Sequence, residues 1–176
     1  MLMSMLHAGG IELICDGQRR ADEYNPKGYY EFQRVMGLAR EPDKRWLRHA
    51  RGKAIKVIST LLLELPRTNN YKVILVRRDL DEVLASQAKM LAGRGEMHAI
   101  DDPQMRQLFE DDLWRAVYLL EHAGHFDYLQ VDYQQVFKDP GAQAQRIANF
   151  LGGNLDIPAM VGMVDDGLYR NRGKNA

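Results

Sequence analysis

Two adjacent arginines and a serine form the local pattern with the clearest chemistry in this sequence. Arg77 and Arg78 directly follow an apolar run of strand character, and Ser86 lies eight residues after Arg78 in a segment of helical character. In an open α/β sheet, ligands bind beyond the carboxyl ends of the strands, near the amino ends of the following helices. A guanidinium fork and a hydroxyl at that place are suited to hold a phosphate group. The pattern therefore indicates an anion-binding site.

A purely structural interpretation of the same arginines stays open. Both can pair with the acidic side chains that begin the next helix, namely Asp79, Asp81 and Glu82. Ser86 is then only a tolerated helical residue. Asp79 as the N-cap, with Glu82 three residues further on, also predicts a capping box at the start of this helix.

The elements that position these residues can be predicted from the apolar pattern. Three short apolar runs with β-branched residues predict buried parallel strands, at 54–58, 71–76 and 128–131. Longer helices are expected at 80–91, 104–122 and 140–151, and shorter ones at 30–38, 43–50 and 60–65. Strands that alternate with helices predict an α/β fold with a parallel sheet. No repeat or linker divides the 176 residues, so we expect one domain over 1–176.

The composition excludes several classes of function. Lys plus Arg and Asp plus Glu each number 24, and this zero net charge argues against a general nucleic-acid binder or a polybasic membrane binder. Cys15 is the only cysteine, so no internal disulfide framework is possible, and a cytoplasmic location is expected. No apolar run approaches the ~20 residues that cross a bilayer. The five histidines lack metal-ligand spacing, so no metal site is expected.

The order of motifs resembles that of sulfotransferases that use 3′-phosphoadenosine-5′-phosphosulfate. In that family, an arginine and a serine that follow a strand hold the 3′-phosphate, and Arg78 and Ser86 resemble these two residues. The segment Lys56-Val57-Ile58-Ser59 resembles the strand that precedes this site. The resemblance implies a P-loop nucleotide-kinase-like sulfotransferase fold, with a parallel sheet flanked by helices.

Two further segments of the same family follow in the expected order. Tyr133, followed by Asp139-Pro140, is similar to a segment whose tyrosine helps to hold the adenine. Near the end of the chain, Arg170, Arg172 and Gly173 resemble the basic, glycine-containing segment that closes over the nucleotide. The resemblance therefore implies that these residues bind the co-substrate.

The catalytic base is the least specified part of the resemblance. Family members use a histidine or glutamate to remove the acceptor proton. Ile58 and Ser59 stand where a histidine would follow Lys56, so Glu31, within a segment that resembles bacterial members (25–31), is the candidate base. Otherwise Glu31 is a charge at a helix end. Lys56 either faces the cleft or reaches solvent.

One family feature has no equivalent in this sequence. The family begins with a strand that ends in a Ser-Gly-Thr loop, which cradles the 5′-phosphosulfate, whereas residues 1–8 correspond to the remainder of the following helix. We expect a sequence truncated in this way to be an inactive or impaired enzyme, because the main donors to the sulfuryl oxygens are absent. Loss of an internal strand also predicts exposed sheet edges.

The resulting expectation is transfer of a sulfuryl group from 3′-phosphoadenosine-5′-phosphosulfate to a hydroxyl or amine, by a complete chain and without a metal. The sequence does not specify the acceptor. The alternative is a non-catalytic nucleotide-binding or protein-interaction module that has lost the phosphosulfate loop. Such a module could form a homo-oligomer through the exposed sheet edge. A nucleoside-kinase-like phosphotransferase is disfavoured, because the Gly-x-x-x-x-Gly-Lys-Ser/Thr loop is absent.

Overall fold

A computed structural model describes residues 1–19, 21–22, 25, 27–93, 102–165 and 167. Within them, the strands are β1 (Leu13–Ile14), β2 (Ala54–Ile55), β3 (Tyr71–Arg77) and β4 (Phe126–Asp132). The α-helices are α1 (Leu2–Ala8), α2 (Gln33–Met36), α3 (Leu80–Gly93), α4 (Asp102–His122), α5 (Tyr133–Lys138), α6 (Pro140–Leu151) and α7 (Ile157–Gly162). Two 3₁₀ helices cover Arg45–Ala50 and Ser59–Glu64.

The described strands form two parallel pairs. The short pair joins β1 to β2, and the longer pair joins β3 to β4 over seven residue pairs, from Tyr71 opposite Phe126 to Arg77 opposite Asp132. Two neighbouring parallel strands must be joined by a crossover connection. Between β3 and β4, this connection contains α3 and α4. Parallel strands flanked by helices confirm the predicted α/β class.

Helices cover both faces of the β3–β4 pair, because alternate strand residues point to opposite faces. On one face, Val131 packs with Met5, Ile147 and Met160, which come from α1, α6 and α7 and are all fully buried. On the other face, partly buried strand residues pack against a second cluster, which comes from α4, the 3₁₀ helices and the segments next to α2 and the second 3₁₀ helix: Leu38, Leu47, Leu62, Leu65, Ala116 and Leu120. The β3–β4 pair is therefore a middle layer between two sets of helices.

Local details differ from the sequence prediction in the shorter elements. The helical segments predicted at 43–50 and 60–65 are 3₁₀ helices, and the helix predicted at 30–38 is reduced to α2. The tighter 3₁₀ turn is common in short connecting segments. Among the described helices, none is both long and apolar enough to cross a membrane.

Candidate anion-binding site at the strand ends

The neighbouring ends of β3 and β4 bring two of the predicted ligand-binding residues together. Arg77 lies opposite Asp132 in the register, so the next residues, Arg78 and Tyr133, leave adjacent strands at the same edge. The guanidinium carbon of Arg78 lies 4.5 Å from the centroid of the Tyr133 ring. This is a cation–π distance. Arg78, which is predicted to bind the phosphate, and Tyr133, which is predicted to bind the adenine, are therefore in direct contact.

A buried carboxylate completes this site. The Glu82 side chain is only 1% exposed, and its Oε2 lies 3.7 Å from a terminal nitrogen of Arg78. Its Oε1 accepts a hydrogen bond of 3.2 Å from Nε2 of Gln134. Glu82 thus connects the first turn of α3 to the first turn of α5. Arg78, Glu82, Tyr133 and Gln134 are called the strand-end site below.

Two aspartates fix the helices that carry the strand-end site. The Asp79 carboxylate accepts from the backbone N–H groups of Asp81 (2.8 Å) and Glu82 (3.3 Å), so Asp79 is the N-cap of α3 as predicted. Asp132 accepts from the N–H groups of residues 134 and 135 and caps α5 in the same way. Such caps satisfy donors that the first helical turn leaves without partners. The predicted capping role of the Glu82 side chain gives way to its contacts with Arg78 and Gln134.

Arg78 keeps donors that a ligand could use. The distance of 3.7 Å to Glu82 is an ion-pair distance and too long for a hydrogen bond. In the part of the chain that the structure describes, the buried Nε of Arg78 has no hydrogen-bond partner. A guanidinium has five N–H donors in a planar fork that matches phosphate oxygens. The pairing with Glu82 and the proposed anion site are therefore compatible, and the uncommitted donor fits a phosphate.

Tyr133 is protonated in this environment. Burial raises the pKa of its phenol, the Glu82 carboxylate raises it further, and the Arg78 charge opposes both effects. The ring also meets Phe137 edge-on, with 5.2 Å between centroids. The Tyr133 phenol is therefore neutral at neutral pH, and its ring lies between Arg78 and Phe137.

The other predicted ligand residues are less well placed by the structure. Ser86 is half-buried on α3, about 9 Å along the helix axis from Leu80. Arg77 is exposed at the last position of β3. Arg170, Arg172 and Gly173 lie outside the described residues, so their contacts stay predictions.

A second polar cluster surrounds Lys56, which directly follows β2. Lys56 Nζ lies 3.0 Å from Oε1 of Glu31 and donates to the carbonyl oxygen of Tyr29 at 3.2 Å. Arg19 donates to the same Glu31 oxygen at 3.1 Å, and its guanidinium carbon lies 3.4 Å from the centroid of the Tyr29 ring. Glu31 is thus shared between two cations. We call Arg19, Tyr29, Glu31 and Lys56 the Lys56 cluster.

The backbone of the Lys56 cluster is held in an uncommon conformation at Tyr30. Its φ of 51° lies in the left-handed region, which residues other than glycine rarely adopt. The Tyr30 hydroxyl accepts a hydrogen bond of 3.2 Å from the buried hydroxyl of Ser4 in α1. This contact ties the turn between Tyr29 and Glu31 to the core, which keeps both residues beside Lys56.

The electrostatics of Glu31 bear on its predicted role as a base. Partial burial raises the pKa of Glu31, but the hydrogen bonds and charges of Lys56 and Arg19 outweigh burial and hold that pKa below its usual value. The carboxylate is therefore ionised at neutral pH, as a base must be, but it binds a proton more weakly than a free glutamate. The role of Glu31 as base stays a prediction.

Sequence reasoning missed Glu82 and Gln134 as parts of the site. The only local signal was the spacing of four residues between Arg78 and Glu82, which also suits an ordinary helical ion pair.

Among the described residues, no group of three or more His, Cys, Asp or Glu is placed to hold a metal ion.

The fold and the strand-end site define an α/β protein with a candidate anion-binding site at the carboxyl ends of parallel strands. A family model described as the sulfotransferase domain matches residues 22–169, which is most of the chain. The chain therefore belongs to the sulfotransferase family. Comparison with curated proteins and with solved structures gave no significant match.

Proposed function

We propose that this sulfotransferase-family chain binds 3′-phosphoadenosine-5′-phosphosulfate and that it serves sulfuryl transfer to a hydroxyl or amine acceptor when the domain is complete. The proposal depends mainly on Arg78, whose guanidinium lies against Tyr133 and Glu82 while its Nε has no hydrogen-bond partner within the described residues. A planar cation with available donors at the strand ends is suited to a phosphate monoester. Membership of the family gives this anion site its chemical context.

Each predicted ligand residue has a stated task in this proposal. Arg78 and Ser86 hold the 3′-phosphate, and Tyr133 contacts the adenine. Arg170, Arg172 and Gly173 close over the nucleotide. Because Arg78 and Tyr133 touch each other, a change at either residue should affect both the phosphate and the adenine contacts.

The Lys56 cluster supplies the charge that the transfer step needs. When bound, the donor provides the sulfuryl group, whose oxygens carry negative charge. The ammonium of Lys56 is held by Glu31 and by the Tyr29 carbonyl, so its position is fixed before a ligand arrives. Preorganised cations of this kind stabilise developing negative charge without further reorganisation. We assign to Glu31 the positioning of Lys56, with proton removal from the acceptor as its second predicted task.

Calorimetric titration with 3′-phosphoadenosine-5′-phosphate tests the site. We expect Arg78→Ala to weaken binding by roughly tenfold to a hundredfold, as expected for loss of a charge-assisted contact. Arg77→Ala is the matched control, because the adjacent Arg77 is exposed at the end of β3 and should change the affinity much less. Equal affinities of wild type and Arg78→Ala would contradict the assignment of the site.

A further inference from the structure

The outer face of α4 carries a regular stripe of exposed side chains. Successive members are separated by four, three, four, three and four residues, and all are exposed: Gln104, Leu108, Asp111, Arg115, Tyr118 and His122. These intervals follow the period of an α-helix, about 3.6 residues per turn, so the six side chains lie along one face. The opposite face of α4 is already occupied, because Ala116 and Leu120 are buried in the core. The stripe is therefore a second packing surface on the same helix.

The stripe and its flank expose more apolar surface than a solvated helix face needs. Leu108 is 53% exposed and Tyr118 is 52% exposed, and Trp114 beside them is 66% exposed. Trp114 stacks on Tyr118 with 5.4 Å between ring centroids, and Tyr118 stacks on His122 at 4.1 Å. Stacked rings lose little freedom on association. Exposed aromatic and aliphatic side chains grouped on one helix face in this way are typical of an interaction site.

The stripe is self-complementary when it is read in reverse about Leu113. An antiparallel copy of α4 would place Leu108 opposite Tyr118 and Asp111 opposite Arg115. In the described residues, Arg115 forms no ion pair within its own chain. Two-fold dimers require a surface that matches itself in this way. We propose that α4 pairs antiparallel with α4 of a second copy of this chain, which joins Leu108 to Tyr118 and Asp111 to Arg115 across the interface.

The size of the contact indicates a weak dimer. The 21 residues of α4 make a helix about 32 Å long. A single helix pair lies at the small end of specific interfaces, even with Trp114 and Leu63 at its edge. We therefore expect a dissociation constant in the micromolar range, so the fraction of dimer should rise with protein concentration. This surface differs from the sheet edge predicted from the sequence, and it is independent of the proposed function because none of the six stripe residues belongs to the strand-end site.

Sedimentation velocity over a range of concentrations tests the pairing with two charge reversals. Asp111→Arg and Arg115→Asp each place like charges opposite one another in a homodimer, and each should raise the dissociation constant roughly tenfold or more. An equimolar mixture of the two variants should recover the wild-type dissociation constant, because every cross-chain pair is then again acid against base. Circular dichroism of both variants checks that these exposed substitutions leave the fold intact.

Three results would overturn the proposal. The wild type could remain monomeric across the range, or either single variant could dimerise as the wild type does. The mixture could also stay as weak as its separate components. A dimer that is unaffected by both reversals would place the interface elsewhere, for example at the unpaired sheet edge.

Discussion

Glu82 is a buried acidic residue beside Arg78, which we propose as a phosphate-binding residue. Its carboxylate faces Arg78 at 3.7 Å, and its hydrogen bond to Gln134 fixes it in place. In the absence of ligand it compensates the half-buried guanidinium. A bound phosphate would add a second anion beside the same cation, on donors that Glu82 does not use. Glu82 is therefore a positioning residue for Arg78.

The substitution Glu82→Gln tests this role by removing the charge while keeping the shape. We expect the free energy of unfolding to fall by about 1–3 kcal/mol, because Arg78 is left without its counter-charge. We also expect 3′-phosphoadenosine-5′-phosphate to raise the Tm of Glu82→Gln more than that of the wild type, since the phosphate then replaces the missing anion. Differential scanning fluorimetry with and without the nucleotide measures both effects.

Asp81→Asn is the matched control for this substitution. Asp81 also lies in the first turn of α3, but its carboxylate is exposed and pairs with Arg106 at the surface. Surface ion pairs contribute little to stability. Nucleotide-induced shifts in Tm that are equal for Glu82→Gln and wild type would contradict the positioning role.

The lowered pKa of Glu31 predicts how the stability of the fold depends on pH. Lys56 and Arg19 hold its pKa below the usual value in the folded chain, so the unfolded chain binds more protons in acid. The stability that Glu31 contributes is therefore present above its unfolded pKa and lost as the pH falls through the lower folded pKa. We expect Glu31→Gln to be less stable than wild type at pH 7, by up to about 1 kcal/mol. The difference should vanish at pH values below both pKa values of Glu31.

Urea unfolding of both proteins across this range measures the prediction. A difference that stays constant from neutral to acid pH would mean that the charge of Glu31 does not stabilise the fold.

At the scale of elements, the packing of α1 on α7 depends on one glycine. A Cβ atom added at Gly9 would lie 2.8 Å from Cγ and 2.9 Å from Sδ of Met160, whose side chain is fully buried. We expect Gly9→Ala to lower the free energy of unfolding by about 1–3 kcal/mol, because the helices must separate or Met160 must leave its rotamer. Chemical denaturation measures this change.

Gly162→Ala is the matched substitution at the other end of the same helix pair. An added Cβ at Gly162 meets no atom within 4 Å, and its φ is not in the left-handed region. We expect Gly162→Ala to leave stability unchanged or to raise it by about 0.4–1 kcal/mol. Similar losses for both variants would show that the close approach at Met160 is not the cause.

The longer elements were predictable because their signals are local. The apolar runs at 71–76 and 128–131 lie within β3 and β4, and Asp79 caps α3 as its position indicated. Pro140 begins α6, and Gly152 ends it with a φ of 124°, which glycine adopts readily. The two 3₁₀ helices lie where short helices were predicted, but their apolar pattern does not distinguish a 3₁₀ turn from an α-helical one.

The site was predictable only in part, because its contacts are long-range. Arg78 could be assigned from its place after a strand. Two other contacts depend on how distant elements pack. They are the hydrogen bond of Glu82 to Gln134 in α5 and the pairing of Glu31 with Lys56. No periodicity within a single segment carries that information.

At the scale of the whole molecule, the described strands form a middle layer that buries both faces and leaves the strand ends open. The strand-end site lies where β3 and β4 finish, and the α4 stripe lies on the outside of a covering helix. The core, the proposed ligand site and the proposed interaction surface therefore use different parts of the fold. Substitutions in the stripe should leave nucleotide affinity unchanged.

The central claim is that Arg78 recognises the 3′-phosphate of the nucleotide. It is tested most directly by measuring the affinities of wild type and Arg78→Ala for two ligands, 3′-phosphoadenosine-5′-phosphate and adenosine 5′-monophosphate, which lacks that phosphate. The wild type should prefer the first ligand by roughly tenfold or more, and Arg78→Ala should lose most of this preference, because the cycle isolates the interaction between residue and phosphate. A preference that survives Arg78→Ala unchanged would contradict the account.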